Sequence, residues 1–124
     1  MISADTSSLS AYFAGEQTRD TSLVEQALSS RSLCISPIVL TELLSDPQSR
    51  TRLEPVVSDW YQLAITPGYW IRASKTRARI LGLGLRARLP DTFIAQASID
   101  HDVVLITRDP DFRHFEKYCG LKLA

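Results

Sequence analysis

The 124-residue chain carries 14 basic and 14 acidic side chains for a formal net charge of zero, and its residues are 44% hydrophobic and 23% charged. That length and usage fit one soluble globular domain over residues 1–124 and leave no room for a second. The longest apolar runs fall far below the roughly 18 residues of a spanning helix, and the start Met-Ile-Ser-Ala-Asp has neither a basic flank nor an apolar signal core, so a cytoplasmic protein without membrane contact is expected.

A short apolar strand is expected over residues 1–4, followed by helices over 6–14 and 20–30. A second strand over 33–35 leads into a helix over 37–45, and a longer helical pattern over 48–62 is broken or restarted near Pro55. A third strand over 63–66 precedes a helix over 68–81, which Gly82 and Gly84 end. Pro90 takes a first-turn or cap position for a helix over 91–100, and a strand over 103–106, a helix over 110–118 and a strand over 121–123 complete the chain. Strands alternating with helices define the α/β class, with a short, mostly parallel sheet covered on both faces in a three-layer α/β/α sandwich. Cys34 and Cys119 lack any metal-type spacing and are expected to be reduced and structural.

Four acids stand at informative places: Asp5 after the first strand, Glu42 in Leu-Thr-Glu-Leu-Leu, Asp91 in Leu-Pro-Asp-Thr-Phe, and Asp109 in Ile-Thr-Arg-Asp-Pro-Asp-Phe. In an open parallel sheet the carboxyl ends of the strands deliver their loops to one edge, which places Asp5 and Asp109 together. Asp91 opens a helix with an apolar side formed by Phe93, Ile94, Ala95 and Ala97. Taken alone, each of these three aspartates reads first as a helix N-cap, accepting the free N–H groups of a first turn, rather than as a ligand. Glu42 is different, because Ile38, Val39, Leu40, Leu43 and Leu44 surround it on its helix, and a buried carboxylate there requires a metal or an arginine. If the fold gathers all four, the like charges cannot stay ionised without a divalent cation between them.

Residues 60–90 contain no Asp or Glu but hold Arg72, Lys75, Arg77, Arg79, Arg86 and Arg88. On a helix, Arg72, Lys75 and Arg79 fall within about 60° of one another, with Arg77 on the far side. Such a stripe is either a solvated helix face or a ridge that tracks phosphates. An acidic metal site beside it, with Arg86 and Arg88 next to Asp91, favours the second.

These segments together resemble a PIN-domain ribonuclease of the VapC type, the toxin of prokaryotic toxin-antitoxin operons. The resemblance runs through Asp-Thr-Ser-Ser-Leu, Leu-Thr-Glu-Leu-Leu, Leu-Pro-Asp-Thr-Phe-Ile-Ala-Gln-Ala and Leu-Ile-Thr-Arg-Asp-Pro-Asp-Phe, and so covers nearly the whole chain. It implies that Asp5, Glu42, Asp91 and Asp109 form a pocket for Mg²⁺ or Mn²⁺, with Ser7 and Thr107 as supporting polar groups and Asp111 as an outer acid. One departure is Ser45-Asp46-Pro47, where many relatives have a glycine soon after the Glu-bearing helix. The resemblance also implies an RNA substrate cut by water to leave a 5′-phosphate and a 3′-hydroxyl, a homodimer, and a small cognate antitoxin. Trp60, Tyr61, Tyr69 and Trp70 are candidates for such interfaces, with core packing expected for at least two of them. The competing readings are a metal-free ribonuclease using His101 and His114, a receiver-like phosphoacceptor domain, and a PIN scaffold that only binds RNA or protein. His101 is expected at a helix C-terminus in a structural role.

Overall fold

The computed structural model describes residues 1–124. Strands β1 (Ile2–Ala4), β2 (Leu33–Ile35), β3 (Tyr61–Gln62) and β4 (Val104–Ile106) form one parallel sheet in the order β3-β2-β1-β4. The helices are α1 (Thr6–Phe13), α2 (Arg19–Ser29), α3 (Pro37–Leu43), α4 (Arg50–Val57), α5 (Tyr69–Gly82), α6 (Leu89–Asp100) and α7 (Phe112–Cys119). Side-chain alternation along β2 shows that both faces of the sheet are covered. Leu33 and Ile35 join the main core with Val24 and Ala27 of α2, whereas Cys34 between them packs with Leu63, Tyr69 and Ala97. The expected three-layer α/β/α sandwich is therefore the fold. No helix is long and apolar enough to cross a membrane.

Several boundaries differ from expectation for identifiable reasons. The third strand lies at Tyr61–Gln62 rather than 63–66, because these residues pair with Cys34 and Ile35, and the last ladder bond runs from the Leu63 N–H to the Ile35 carbonyl at 2.8 Å. The expected strand over 121–123 is reduced to a single parallel bridge between Leu123 and Leu105. The helix expected over 48–62 is only α4, which runs through Pro55 and stops two residues later. A proline so near the end costs few helical bonds. Helix α6 starts at Leu89, so Pro90 sits in its first turn, Arg88 holds the cap position and Asp91 is not the cap. Asp109 is not one either, since Asp111 precedes α7. Only Asp5 caps, its Oδ1 accepting the Ser8 N–H at 2.9 Å.

The strand order locates the site. From β1 the chain moves outward through β2 and β3, then returns to lay β4 on the opposite side of β1. The crevice at such a reversal, beyond the carboxyl ends of the strands, is where open α/β sheets bind ligands. Ala4 pairs with Ile106, and the Asp5 N–H bonds to the Ile106 carbonyl at 3.0 Å, so Asp5 and Thr107 leave the sheet side by side.

Candidate metal centre

Asp5 is only 3% exposed, and its carboxylate is held from several directions. Thr107 donates its hydroxyl to Oδ2 at 2.5 Å, Ser7 donates to both oxygens at 2.9 and 3.0 Å, and the Ser8 N–H caps Oδ1. Burial pushes the Asp5 carboxyl above its ordinary pKa, and the bonds from Thr107, Ser8 and Ser7 oppose that shift. Thr107 also accepts the Asp109 N–H at 3.0 Å, so one hydroxyl ties together the loops that leave β1 and β4. Thr107→Val should weaken Mn²⁺ binding by about 10–100-fold, the usual cost of losing a hydrogen bond that orients a ligand. Thr107→Ser should restore most of it. Equal Mn²⁺ affinity in all three proteins, measured by calorimetry, would remove this role.

The four acids singled out in the sequence line one pocket of about 300 Å³, together with Thr6, Ser7, Arg88, Pro90 and Ile94. Glu42 reaches it by a route other than the expected one. It is exposed rather than buried, so the burial argument does not apply, and the Thr6 hydroxyl donates to its Oε1 at 2.6 Å across the gap between α1 and α3. Asp91 and Asp109 also stand with Asp111, the three offering carboxylate oxygens within 4.8 Å of one another. Asp109 turns one oxygen back to its own loop, where Oδ1 accepts the Asp111 N–H at 2.9 Å. The Asp91 carboxyl is raised above its ordinary range, first by burial and further by the neighbouring charges of Asp109 and Asp5, while Arg88 opposes the shift.

These residues fit a divalent cation. Every donor is a hard carboxylate oxygen, the type that suits Mg²⁺ and Mn²⁺. The spread of the Asp91, Asp109 and Asp111 oxygens is close to the roughly 4.2 Å between opposite ligands of an octahedral Mg²⁺. The Asp91 Oδ2 atom is buried without a hydrogen-bond partner, which is costly unless a positive centre faces it. Arg88 Nε lies 3.3 Å from that atom but outside hydrogen-bond geometry.

The basic residues divide sharply. Arg72 is fully engaged within the fold: Nε and Nη2 grip Asp100 at 2.7–3.3 Å, Nη2 also reaches the Thr66 hydroxyl, and Nη1 donates to the Pro67 carbonyl at 2.7 Å. It braces the start of α5 against the end of α6 and does not line the acidic pocket. Lys75 and Arg79 are exposed on α5 but do not line the acidic pocket. Of the five basic candidates only Arg88 does, with Arg86 at its margin, 3.9 Å from Asp111. His101 is the C-cap residue of α6, its ring hydrogen-bonded with the Ala64 carbonyl at 2.8 Å, and neither it nor His114 lines the pocket. Tyr69 is buried and Trp60 stacks on Phe13, whereas Tyr61 and Trp70 are exposed.

One positioning residue escaped the sequence reading. Arg108, between Thr107 and Asp109, turns away from the pocket and donates from Nε to Asp20 at 2.8 Å and from Nη2 to the Thr18 hydroxyl at 3.1 Å. The guanidinium holds the Asp20 carboxyl well below the usual carboxylate range. This clamp fastens the loop bearing Asp109 to the start of α2. A partner 88 positions away leaves no local signal in the sequence.

Residues 2–118 match the PIN domain family, and the chain belongs to that family. This replaces the receiver-like alternative. No curated protein matches the chain by sequence at a significant level. Among solved structures, the fold is similar to VapBC2 from Rickettsia felis bound to a fragment of promoter DNA. There the identity is 20% over 100% of this chain and 98% of that chain, with a TM-score of 0.78. It is similar to FitAcB from Neisseria gonorrhoeae, at 15% identity over 99% and 96% of the two chains and a TM-score of 0.73. A toxin-antitoxin complex from Klebsiella pneumoniae aligns at 22% identity over 98% and 95%, with a TM-score of 0.72. At these identities the likeness is one of fold.

Proposed function

We propose that this protein is a divalent-metal-dependent endoribonuclease and the toxin of a toxin-antitoxin pair, with Asp5, Glu42, Asp91 and Asp109 holding Mg²⁺ or Mn²⁺ and Asp111 close beside them. The observation that carries the reading is the convergence of all four acids on one pocket at the strand-order reversal, where a buried Asp91 oxygen has no hydrogen-bond partner. A cation held there supplies Lewis-acid activation of water and offsets the charge that builds on the phosphate. The protein's own groups set the geometry: Thr107, Ser7 and the Ser8 N–H fix the Asp5 carboxylate, Thr6 orients Glu42, and the Arg108 clamp holds the Asp109 loop. Arg88 and Arg86 supply the positive rim for a phosphate backbone.

The solved structures of similar fold include toxin-antitoxin complexes, which supports a small antitoxin as the partner of this chain in the cytoplasm. The exposed apolar side chains Trp70, Ile71, Leu81 and Leu83 offer area for that partner or for a homodimer. The test is incubation of single-stranded RNA with the purified chain. Cleavage with Mg²⁺ or Mn²⁺ that stops with EDTA and is unaffected by His101→Ala supports the reading. Cleavage that persists in EDTA overturns it in favour of the histidines, and no cleavage under any metal favours a PIN scaffold that only binds.

A further inference from the structure

We propose that Arg88 is an internal counter-ion for the acidic cluster, a guanidinium that must swing out when a divalent cation enters and that thereby sets how tightly the site holds metal. The inference rests on the metal reading of the pocket. Arg88 Nε lies 3.3 Å from Asp91 Oδ2, and Nη2 lies 3.3 Å from Asp109 Oδ2 and 3.8 Å from Asp111 Oδ2. These are the same three carboxylates whose oxygens cluster within 4.8 Å. The guanidinium therefore lies beside the carboxylates that would hold a cation, and its positive charge competes with the cation's for them.

The quality of the contacts shows that this arginine is built to leave. Arg72 and Arg108 are each fastened by several hydrogen bonds to carboxylates, hydroxyls or carbonyls. The Arg88 guanidinium makes one hydrogen bond, to Asp109, at 3.3 Å, and its approach to Asp91 leaves that buried oxygen without a hydrogen-bond partner. Its side chain is 51% exposed, so it can reach solvent without disturbing the core. It also sits at the N-cap position of α6 and makes no side-chain cap bond there, so the helix start does not depend on it. Once displaced, the guanidinium stays at the pocket mouth, where a phosphate oxygen is its natural new partner. Metal loading and substrate binding are then coupled through one side chain, which opposes the first and favours the second.

The experiment measures Mn²⁺ binding to the full chain by calorimetry for the native protein, Arg88→Gln, Arg88→Lys and Asp91→Asn, alongside RNA affinity. Half-exposed ion pairs contribute up to about fivefold each, so Arg88→Gln should bind Mn²⁺ roughly tenfold more tightly, bind RNA more weakly, and melt at a lower temperature in EDTA. Arg88→Lys should stay near the native affinity for metal. Unchanged or weaker Mn²⁺ binding by Arg88→Gln, with binding lost in Asp91→Asn, overturns the counter-ion role and leaves the metal reading standing. Failure of both the native chain and Arg88→Gln to bind Mn²⁺ overturns the metal reading and the counter-ion role with it.

Discussion

Asp91→Asn is expected to lower RNA cleavage by about a thousandfold or more and, at the same time, to raise the melting temperature of the metal-free protein. On the proposed metal reading, the first effect follows from removing a ligand whose cation would supply several kcal/mol of transition-state stabilisation, at about 1.4 kcal/mol per tenfold in rate. The second follows from the electrostatics of the pocket. Asp91 is pushed above its ordinary pKa by burial and by Asp109 and Asp5. A carboxyl whose folded pKa is raised contributes stability when protonated and loses it as the pH climbs from the unfolded value through the folded one. At neutral pH the ionised group therefore destabilises the metal-free fold, and asparagine removes the charge. The raised Asp5 carboxyl acts in the same direction. Stabilisation of the native protein by Mg²⁺ should accordingly be full at neutral pH and fade as the pH falls through this raised range, where protons compete for the same oxygens. Thermal melts with EDTA and with Mg²⁺, for both proteins, check both halves. A lower melting temperature for Asp91→Asn in EDTA would show that the carboxylate serves packing rather than a site.

Phe115→Ala should destabilise the protein by about 3–5 kcal/mol, against a total of about 5–15 kcal/mol for a domain of ordinary stability. Phe115 is fully buried, and its ring packs beside Phe112 with centroids 5.9 Å apart. Both rings fasten α7 to the main core, which includes Ile80 of α5 and Ala95 of α6. The consequence reaches the site because the turn carrying Asp109 and Asp111 ends on α7, the Phe112 N–H bonding back to the Asp109 carbonyl at 3.3 Å. Urea denaturation measures the loss, and a change below about 1 kcal/mol would mean that the cavity collapses or that α7 contributes little to the fold.

Much of the site was legible because strand ends have only one place to go in a parallel sheet. Asp5 and Asp109 each follow an apolar strand, and the reversal of strand order sets those ends side by side. Glu42 was found for a reason that did not hold. Its position among apolar neighbours on α3 fixes a direction on that helix, but the direction does not say what covers it, and it is exposed beside Thr6. The cap alternative for Asp91 depended on where α6 begins, and a start two residues earlier, with Pro90 in the first turn, removed it. Helical phase put Arg72, Lys75 and Arg79 on one side of α5 but carried no information about Asp100, the acid 28 residues further on that engages Arg72. The pairing of Arg88 with Asp109 and the clamp of Arg108 on Asp20 were invisible for the same reason, since those partners are brought together only by the fold. The positions of β1, β2 and β4 followed from short apolar runs, while the shift of β3 to Tyr61–Gln62 reflects pairing with β2 rather than local hydrophobicity.

The central claim is that the acidic pocket hydrolyses an RNA phosphodiester with a metal-activated water. Its most direct test is the end chemistry of the fragments made from a short single-stranded RNA in Mg²⁺. The pocket predicts 5′-phosphate and 3′-hydroxyl ends, absent in EDTA and absent with Asp91→Asn. Fragments ending in a 2′,3′-cyclic phosphate, formed equally with and without the metal, would contradict it.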